Sequence, residues 1–180
     1  GESPCIRGHK GRRIAALLRN RVSLLAYHLP LDAHPKLGNN ACLARVLDIT
    51  DPEPSDAGNG LLWHGMLARE SPLDDFSAHV TAALDRTPLS VVGGEHAVHR
   101  LAWCSGAAQS YIEQAAELGA DTYLSGEISE PTVHLARELG IHYLAAGHHA
   151  TERYGVQALG VHLAERFGLD HHYVDIDNPV

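Results

Sequence analysis

The second half of the chain repeats one pattern, and this repeat constrains the fold more than any other feature. Each unit is a short apolar run, a turn with glycine or serine, and an amphipathic stretch. Gly119, Gly140 and Gly168 follow these stretches, as is typical of helix ends. Strands that alternate with helices indicate βαβ units, so we predict an α/β fold with mainly parallel sheets flanked by helices. The expected strands are residues 98–104, 121–124, 142–145 and 172–176, and the expected helices are residues 109–118, 131–139 and 151–167.

The first half of the chain is less regular. Periodicity predicts helices at residues 11–20, 39–47 and 72–85, a buried strand at residues 22–27, and further strands at residues 61–67 and 89–92. Two prolines make residues 28–35 a structured loop. Residues 51–60, rich in Asp, Pro and Gly, form the best internal boundary. We therefore expect two lobes, residues 1–50 together with 121–180, and residues 60–120.

The composition disfavours several classes of protein. The formal net charge of the 180 residues is −8, which argues against a nucleic-acid partner, because phosphates attract basic surfaces. No apolar run reaches the roughly 18 residues of a membrane helix, so no membrane partner is expected. Cys5, Cys42 and Cys104 are far apart, without a Cys-x-x-Cys pair. This spacing favours reduced thiols in a cytosolic protein over a disulfide framework, a thiolate zinc site or a redox enzyme.

Histidine is the unusual component, since the 14 histidines equal Lys plus Arg in number. The segment Gly-His-His-Ala-Thr-Glu at residues 147–152 follows an apolar run and opens a helix. His148 and Glu152 are four residues apart, so a helical turn places them on one face. An imidazole and a carboxylate there suit zinc, manganese or iron(II). The alternative is that Glu152 only complements the helix dipole and the histidines are ordinary loop residues.

The proline-braced loop at residues 28–35 contains a second candidate. Asp32 lies between Pro30 and Pro35 on a stiff backbone, which suits a metal ligand. The alternative is an aspartate that hydrogen-bonds its own turn. His28 and His34 are either donors that orient the carboxylate or surface residues.

Glu127 is the third candidate, because it too follows an apolar run and a glycine. It is predicted to act as a general base or as an outer group behind a ligand. A helix N-terminal acid is the alternative. Ser129, with Pro131 two residues later, predicts the start of the next helix.

These segments resemble the motifs of one family. Residues 27–35 and 37–40, YHLPLDAHP and LGNN, resemble an HxxLDxHxxxGxN segment. Residues 125–127, SGE, resemble a TG(D/E) turn, with Ser125 in place of the usual Thr. Residues 147–152 resemble a GHxxxE signature. In this order they resemble the Nif-three-like family, the GTP cyclohydrolase I type 2 homologues, and most of all its short bacterial members.

The resemblance implies a toroidal homohexamer of two-lobed α/β subunits, each with two divalent metal ions, zinc, iron or manganese. It implies that Asp32, His148 and Glu152 are metal ligands. Family members supply two further histidines from a His-His-Gly motif just ahead of the segment that matches Gly1. We therefore expect the remaining ligands upstream of Gly1 and an N-terminal truncation here.

A dinuclear site would acidify a bridging water, so we expect hydrolysis of a phosphate ester, an amide or a purine ring in a small-molecule substrate. In this interpretation Glu127 or His28 transfers protons. The competing hypothesis is a non-catalytic metal-binding protein or interaction scaffold.

Overall fold

The computed structural model describes residues 4–180. Eight α-helices lie within this range: α1 (Gly8–Arg19), α2 (Leu29–Asp32), α3 (Asn39–Val46), α4 (Leu73–Leu84), α5 (Ile112–Glu117), α6 (Glu130–Leu139), α7 (His148–Glu152) and α8 (Tyr154–Phe167). The six strands are β1 (Thr50–Pro54), β2 (Trp63–Ser71), β3 (Leu89–Val91), β4 (Val98–Cys104), β5 (Thr122–Ser125) and β6 (His142–Ala145). Short 3₁₀ turns cover Ala57–Gly60 and Gln109–Tyr111. Among these elements, no helix is both long and apolar enough to cross a membrane.

The strands form one six-stranded sheet in the order β1-β2-β4-β5-β6-β3. This confirms the predicted α/β class with flanking helices. The expectation of mainly parallel pairing needs correction, because only β4–β5 and β5–β6 are parallel, and the other three pairs are antiparallel. Helices α5 and α6 provide the long crossovers that parallel neighbours need, whereas residues 55–62 between β1 and β2 are too few for one.

Both faces of the central strands β4, β5 and β6 are buried, and side chains alternate between the two faces along each strand. On β4, Leu101 and Trp103 belong to one core cluster and Ala102 to the other. Helices α3 and α4 cover the first face, and α5 and α6 cover the second. Tyr123 on β5 and Tyr143 on β6 are fully buried on the second face. This two-sided burial explains the nearly continuous apolar runs of these strands.

Two helices show clearly how the sequence determines the local structure. The predicted helix at residues 72–85 is confirmed as α4, with Phe76, Val80 and Leu84 buried at helical spacing. The predicted start of α6 is also confirmed, since Ser129 and Thr132 form a reciprocal capping box. This helix ends at Gly140, whose φ of 66° is left-handed.

Two predicted strands are wrong. Residues 22–27 and 172–176 have no strand pairing in the described part of the chain, and Leu24, Leu25, Val174 and Ile176 are each more than 70% exposed. A short apolar run indicates a need for burial, but it does not specify a partner. Conversely, the predicted boundary at residues 51–60 contains most of the edge strand β1, where prolines are tolerated.

The predicted division into two lobes stays a prediction. Strands from residues 60–120 and from residues 121–180 lie in the same sheet, with β4 paired to β5. The predicted helix at residues 151–167 corresponds to two helices, α7 and α8, which adjoin at Arg153.

Candidate functional site

Three loops meet beyond the carboxyl ends of the parallel strands, the edge where α/β sheets bind ligands. The amide of Gly126 donates to the carbonyl oxygen of Gly106 at 2.9 Å, and the amide of Gly147 donates to the carbonyl oxygen of Gly126 at 2.9 Å. The loops that follow β4, β5 and β6 are therefore joined by main-chain hydrogen bonds. These three glycines therefore lie at one edge of the sheet.

His148 lies between two carboxylates at this edge. Its Nδ1 is 2.6 Å from Oε1 of Glu127, and its Nε2 is 3.1 Å from Oε2 of Glu152. Helix α7 supplies the four-residue spacing of His148 and Glu152, and the loop after β5 supplies Glu127. All three side chains are half-buried, with 38%, 36% and 26% exposure for His148, Glu127 and Glu152. The structure thus brings these three predicted residues together.

Gly106 leaves the space in which this cluster sits. A Cβ atom on Gly106 would lie 2.1 Å from Oε1 of Glu152 and 3.2 Å from Nε2 of His148. The φ of Gly106 is 69°, a left-handed value that glycine adopts without strain. Any other residue here would displace the Glu152 carboxylate.

Asp32 reaches the same region from helix α2. Its side chain is buried, and its Oδ1 accepts a 2.7 Å hydrogen bond from Nδ2 of Asn39. The Oδ1 of Asn39 in turn accepts a 2.7 Å hydrogen bond from the amide of Gly155, just after α7. One amide side chain therefore ties Asp32 to the helix pair that carries His148 and Glu152.

Asn40 makes a second tie. Its Nδ2 donates to the carbonyl oxygen of Leu61 at 3.1 Å, and its Oδ1 accepts from the amide of Ser105 at 2.9 Å. Its main-chain oxygen accepts from the indole Nε1 of Trp103 at 3.0 Å. Asn40 is fully buried, so these hydrogen bonds fix helix α3 against the loop that contains Gly106.

The electrostatics of the site follow from these proximities. Burial, followed by the negative charge of Asp32, raises the pKa of Glu152 against the opposing influence of His148 and His28. Burial alone would lower the pKa of His148, but the Glu127 hydrogen bond and the charges of Glu152 and Glu127 together raise it. Both groups therefore bind their protons more tightly than their ordinary pKa values imply, and a nearby cation would act in the opposite direction.

The thiol of Cys104 lies near this charge cluster. Burial raises its pKa to about 12, and the charges of Asp32 and Glu152 add to the effect. Such a thiol stays protonated near neutral pH, and only the thiolate is a good nucleophile or ligand. This agrees with the expectation that thiol chemistry is disfavoured.

The predicted metal ligands are not a complete metal site by themselves. Within residues 4–180, no group of three His, Cys, Asp or Glu side chains is arranged to hold a metal ion. Asp32 and His28 influence Glu152 through their charges. The assignment of Asp32, His148 and Glu152 as ligands, and of Glu127 and His28 to proton transfer, stays a prediction.

The two other loop histidines have separate partners. His34 Nδ1 accepts hydrogen bonds from the amides of Lys36 and Leu37, so this ring stabilises its own turn. His149 Nε2 lies 3.1 Å from Oδ1 of Asp175. For His34, the surface alternative describes the structure better than a role in orienting Asp32.

Sequence reasoning missed the residues that hold the site together. Asn39 and Asn40 belong to a recognised motif, but their contacts join distant segments, and the sequence contains no signal for such contacts. Thr151 was also missed. Its Oγ1 accepts a 3.0 Å hydrogen bond from the amide of Gly106. Thr151 is buried beside Ala150 on the five-residue helix α7, whose sequence shows no apolar periodicity that would have indicated this position.

Comparison with known proteins defines the class. Residues 2–179 match the family model DUF34/NIF3, NGG1p interacting factor 3. The chain is 61% identical over 178 residues to a GTP cyclohydrolase 1 type 2 homolog of Allochromatium vinosum, which covers 99% of this chain and 70% of that relative. It is 54% identical over 181 residues to the protein of the same name from Pseudomonas aeruginosa, which covers 99% and 71%. The chain belongs to the DUF34/NIF3 family.

Solved structures agree with this assignment. Protein ybgI, described as of unknown function, superposes with a TM-score of 0.95 at 47% identity, covering 100% of this chain and 72% of that one. TTHA1606 from Thermus thermophilus gives 0.89 at 32% identity, covering 100% and 72%. Reduced HcgD from Methanocaldococcus jannaschii gives 0.79 at 29% identity, covering 94% and 68%. The recognition made from three short motifs is therefore confirmed.

Proposed function

We propose that this protein binds two divalent metal ions and acts as a metal-dependent hydrolase, with Asp32, His148 and Glu152 as the ligands that this chain contributes. The observation that carries the proposal is the placement of His148 between Glu127 and Glu152 at the carboxyl edge of the sheet. A carboxylate behind one ring nitrogen and a second carboxylate beside the other is the arrangement that metal-binding histidines use.

The donor set fits a divalent transition metal. Imidazole nitrogen and carboxylate oxygen are ligands for zinc, manganese and iron. Asp32 and Glu152 are two carboxylates in one region, and the charge of Asp32 raises the pKa of Glu152. A bound cation would offset this accumulation of negative charge. The absence of a side chain at Gly106 leaves room for the Glu152 carboxylate beside His148, and this placement supports the same interpretation.

In this mechanism the residues of the chain position and move protons. Glu127 accepts a hydrogen bond from the Nδ1–H of His148, which leaves Nε2 directed to the Glu152 side. Glu127, or His28 from the N-terminus of α2, transfers a proton between the attacking water and the leaving group. The metal pair, when bound, supplies a water of lowered pKa and a Lewis-acid contact to substrate oxygens.

The substrate that we propose is a small molecule with a hydrolysable phosphate ester, amide or purine ring. A cleft of about 600 Å³ opens beside the cluster, with His148 and Glu152 at its polar end. Val156, Val174 and Ile176 line its apolar part, and Tyr173 adds an aromatic ring. The name of the Allochromatium and Pseudomonas relatives points to guanine-nucleotide chemistry in those proteins, and we extend it here as one test substrate.

A non-catalytic metal-binding or scaffold protein is the second candidate, because one surface is suited to association. Helix α1 has no buried residue, and Leu18, Leu24, Leu25 and Tyr27 are each more than 60% exposed. Contiguous exposed apolar residues mark interfaces more often than free surface. A cytosolic homohexamer is the assembly that we propose for either function.

The test compares Glu152→Ala with Glu165→Ala, whose carboxylate is exposed on α8. Zinc and manganese content is measured by mass spectrometry after loading and desalting, and turnover is measured with GTP and with p-nitrophenyl phosphate. We expect Glu152→Ala to lose metal and activity together, and Glu165→Ala to retain both. Loaded wild-type protein that converts neither substrate contradicts the phosphate-ester and purine-ring forms of the proposal. Metal removal that changes only the oligomeric state favours the scaffold.

A further inference from the structure

Two buried hydroxyl groups converge on the main chain of Glu127. The hydroxyl of Tyr143 donates to the carbonyl oxygen of Glu127 at 2.6 Å, and Oγ of Ser125 donates to the same oxygen at 2.8 Å. The two hydroxyls also contact each other. Both residues are fully buried; Ser125 is the last residue of β5, and Tyr143 is the second residue of the neighbouring strand β6.

The main-chain amide of Glu127 is also held by a hydrogen bond. The amide of Glu127 donates to the carbonyl oxygen of Gly106 at 3.2 Å. The main chain of Glu127 is thus restrained at its donor by one loop and at its acceptor by two side chains. Only the side-chain torsions remain free to aim the carboxylate.

That carboxylate determines which ring nitrogen of His148 carries a proton. A carboxylate only accepts hydrogen bonds, so its 2.6 Å contact requires a proton on Nδ1 of His148. In the neutral ring, Nε2 then carries the lone pair, so its 3.1 Å contact with Oε2 of Glu152 is a hydrogen bond only when the Glu152 carboxyl carries the proton. A displaced Glu127 would release the ring to adopt the other tautomer.

We propose that Ser125 and Tyr143 are positioning residues, which together hold Glu127 so that His148 presents its Nε2 lone pair to the site. The consequence for metal binding rests on the proposed function, whereas the effect on the His148 tautomer does not. The two hydroxyls share one acceptor, so each partly substitutes for the other. Removing both hydroxyls should therefore change the His148 tautomer population by more than the sum of the changes in the two single variants.

Tyr123 provides a matched control. It is a fully buried tyrosine on β5, in edge-to-face contact with Tyr143 at 5.5 Å between ring centroids. Its hydroxyl donates to the carbonyl oxygen of Ala108 at 2.7 Å, in the loop after β4. Tyr123→Phe therefore removes a buried tyrosine hydroxyl of the same kind without touching Glu127.

The experiment compares Tyr143→Phe, Ser125→Ala, the double variant and Tyr123→Phe. Nitrogen-15 NMR reports the His148 tautomer in metal-free protein, at a pH high enough that the ring signals show His148 to be neutral, because its pKa is raised. His148→Gln identifies the resonance. We expect the Nδ1–H form in wild-type protein and Tyr123→Phe, a partial Nε2–H population in each single variant, and a dominant one in the double variant.

Zinc affinity, measured by competition with a chromogenic chelator, gives the second readout. Loss of an outer partner of a metal-binding histidine typically weakens binding about 10–100-fold, and we expect this range for the double variant. Ser125→Thr, which retains a hydroxyl, should restore wild-type behaviour.

A double variant with the wild-type tautomer and zinc affinity overturns the proposal. If the double variant does not fold, the comparison of Tyr143→Phe with Tyr123→Phe tests the proposal. An unchanged His148 tautomer in Tyr143→Phe contradicts the proposed role. If wild-type protein binds no zinc, the metal function fails, while the tautomer measurement still decides the positioning role.

Discussion

Asn39 holds the carboxylate of Asp32 with its amide nitrogen at 2.7 Å. With its amide oxygen it holds the main chain of Gly155 at 2.7 Å. The side chain is thus a bridge, across more than a hundred residues of sequence, between the helix that carries Asp32 and the start of α8, which adjoins the helix that carries His148 and Glu152. Because both contacts are buried, losing them should lower the free energy of unfolding by a measurable amount.

We expect Asn39→Ala to destabilise the protein by about 1–3 kcal/mol, since it leaves the amide of Gly155 and the Asp32 carboxylate without their buried partner. The melting temperature should fall by about 2–4 °C for each kcal/mol in a chain of this size. Asn20→Ala is the control, because the Asn20 side chain makes an exposed hydrogen bond to Ala16. Equal melting temperatures for the two variants would contradict the bridging role.

A second prediction concerns the space at Gly106. Gly106→Ala should both destabilise the protein and displace Glu152, because the added methyl group would overlap the Glu152 carboxylate. Gly119→Ala has a comparable left-handed φ of 76° with open space around it, so it should show only the backbone cost of about 1–2 kcal/mol. Urea denaturation measures both variants. The difference between their free energies of unfolding gives the cost of the clash with Glu152. Equal free energies would mean that the site tolerates a side chain at position 106.

The protonation of His148 and Glu152 predicts how stability depends on pH. The folded state raises the pKa of His148 above 6.5 and that of Glu152 above 4.5, so it binds protons more tightly than the unfolded state. Stability without metal is therefore highest below these reference values, and it falls as the pH rises through each raised pKa. Solvent screening keeps the effect of the partly exposed His148 small.

Urea denaturation in the presence of a chelator, repeated between about pH 4 and pH 9, measures this dependence across both titrations. His148→Gln should flatten the upper part of the profile and Glu152→Gln the lower part. Stability that rises across the histidine range in the wild-type protein, and does so less in His148→Gln, would reverse the assigned sign.

Cysteine reactivity provides a further prediction. With a pKa of about 12, Cys104 has a thiolate fraction of about 10⁻⁵ near pH 7, and its side chain is also buried. Iodoacetamide should therefore modify the exposed Cys5 much faster than Cys104 or the buried Cys42. Peptide mass spectrometry measures the rates, and denatured protein provides the reference. Rapid labelling of Cys104 in folded protein would contradict the assigned environment.

The sequence predicted local elements well where packing and periodicity agree. The β4 and β6 runs and helix α4 match their predicted positions closely, because each shows a clear apolar pattern. The order of strands in the sheet could not be derived, since the edge strands β1 and β3 make antiparallel pairs that no local pattern encodes. Residues 22–27 show the converse limit, because an apolar run without a partner strand remains exposed.

Part of the candidate site could likewise be predicted from the sequence, and part could not. His148 and Glu152 could be placed together from helical spacing, and their closeness to Glu127 followed from the shared edge of parallel strands. The contacts of Asn39, Asn40 and Tyr143 depend on long-range side-chain hydrogen bonds, for which one sequence contains no periodic signal. Family motifs identified Asn39 and Asn40 as notable positions but did not indicate what they contact.

The main-chain hydrogen bonds between Gly106, Gly126 and Gly147 have a consequence for engineering. Because peptide groups set the separation of the three loops, this spacing does not depend on the chemical nature of the functional side chains. Positions 127, 148 and 152 therefore form a scaffold into which other donor types can be introduced. Under the proposed function, exchanging Glu152 for aspartate, histidine or cysteine would change the metal preference, while positions 127 and 148 keep their places.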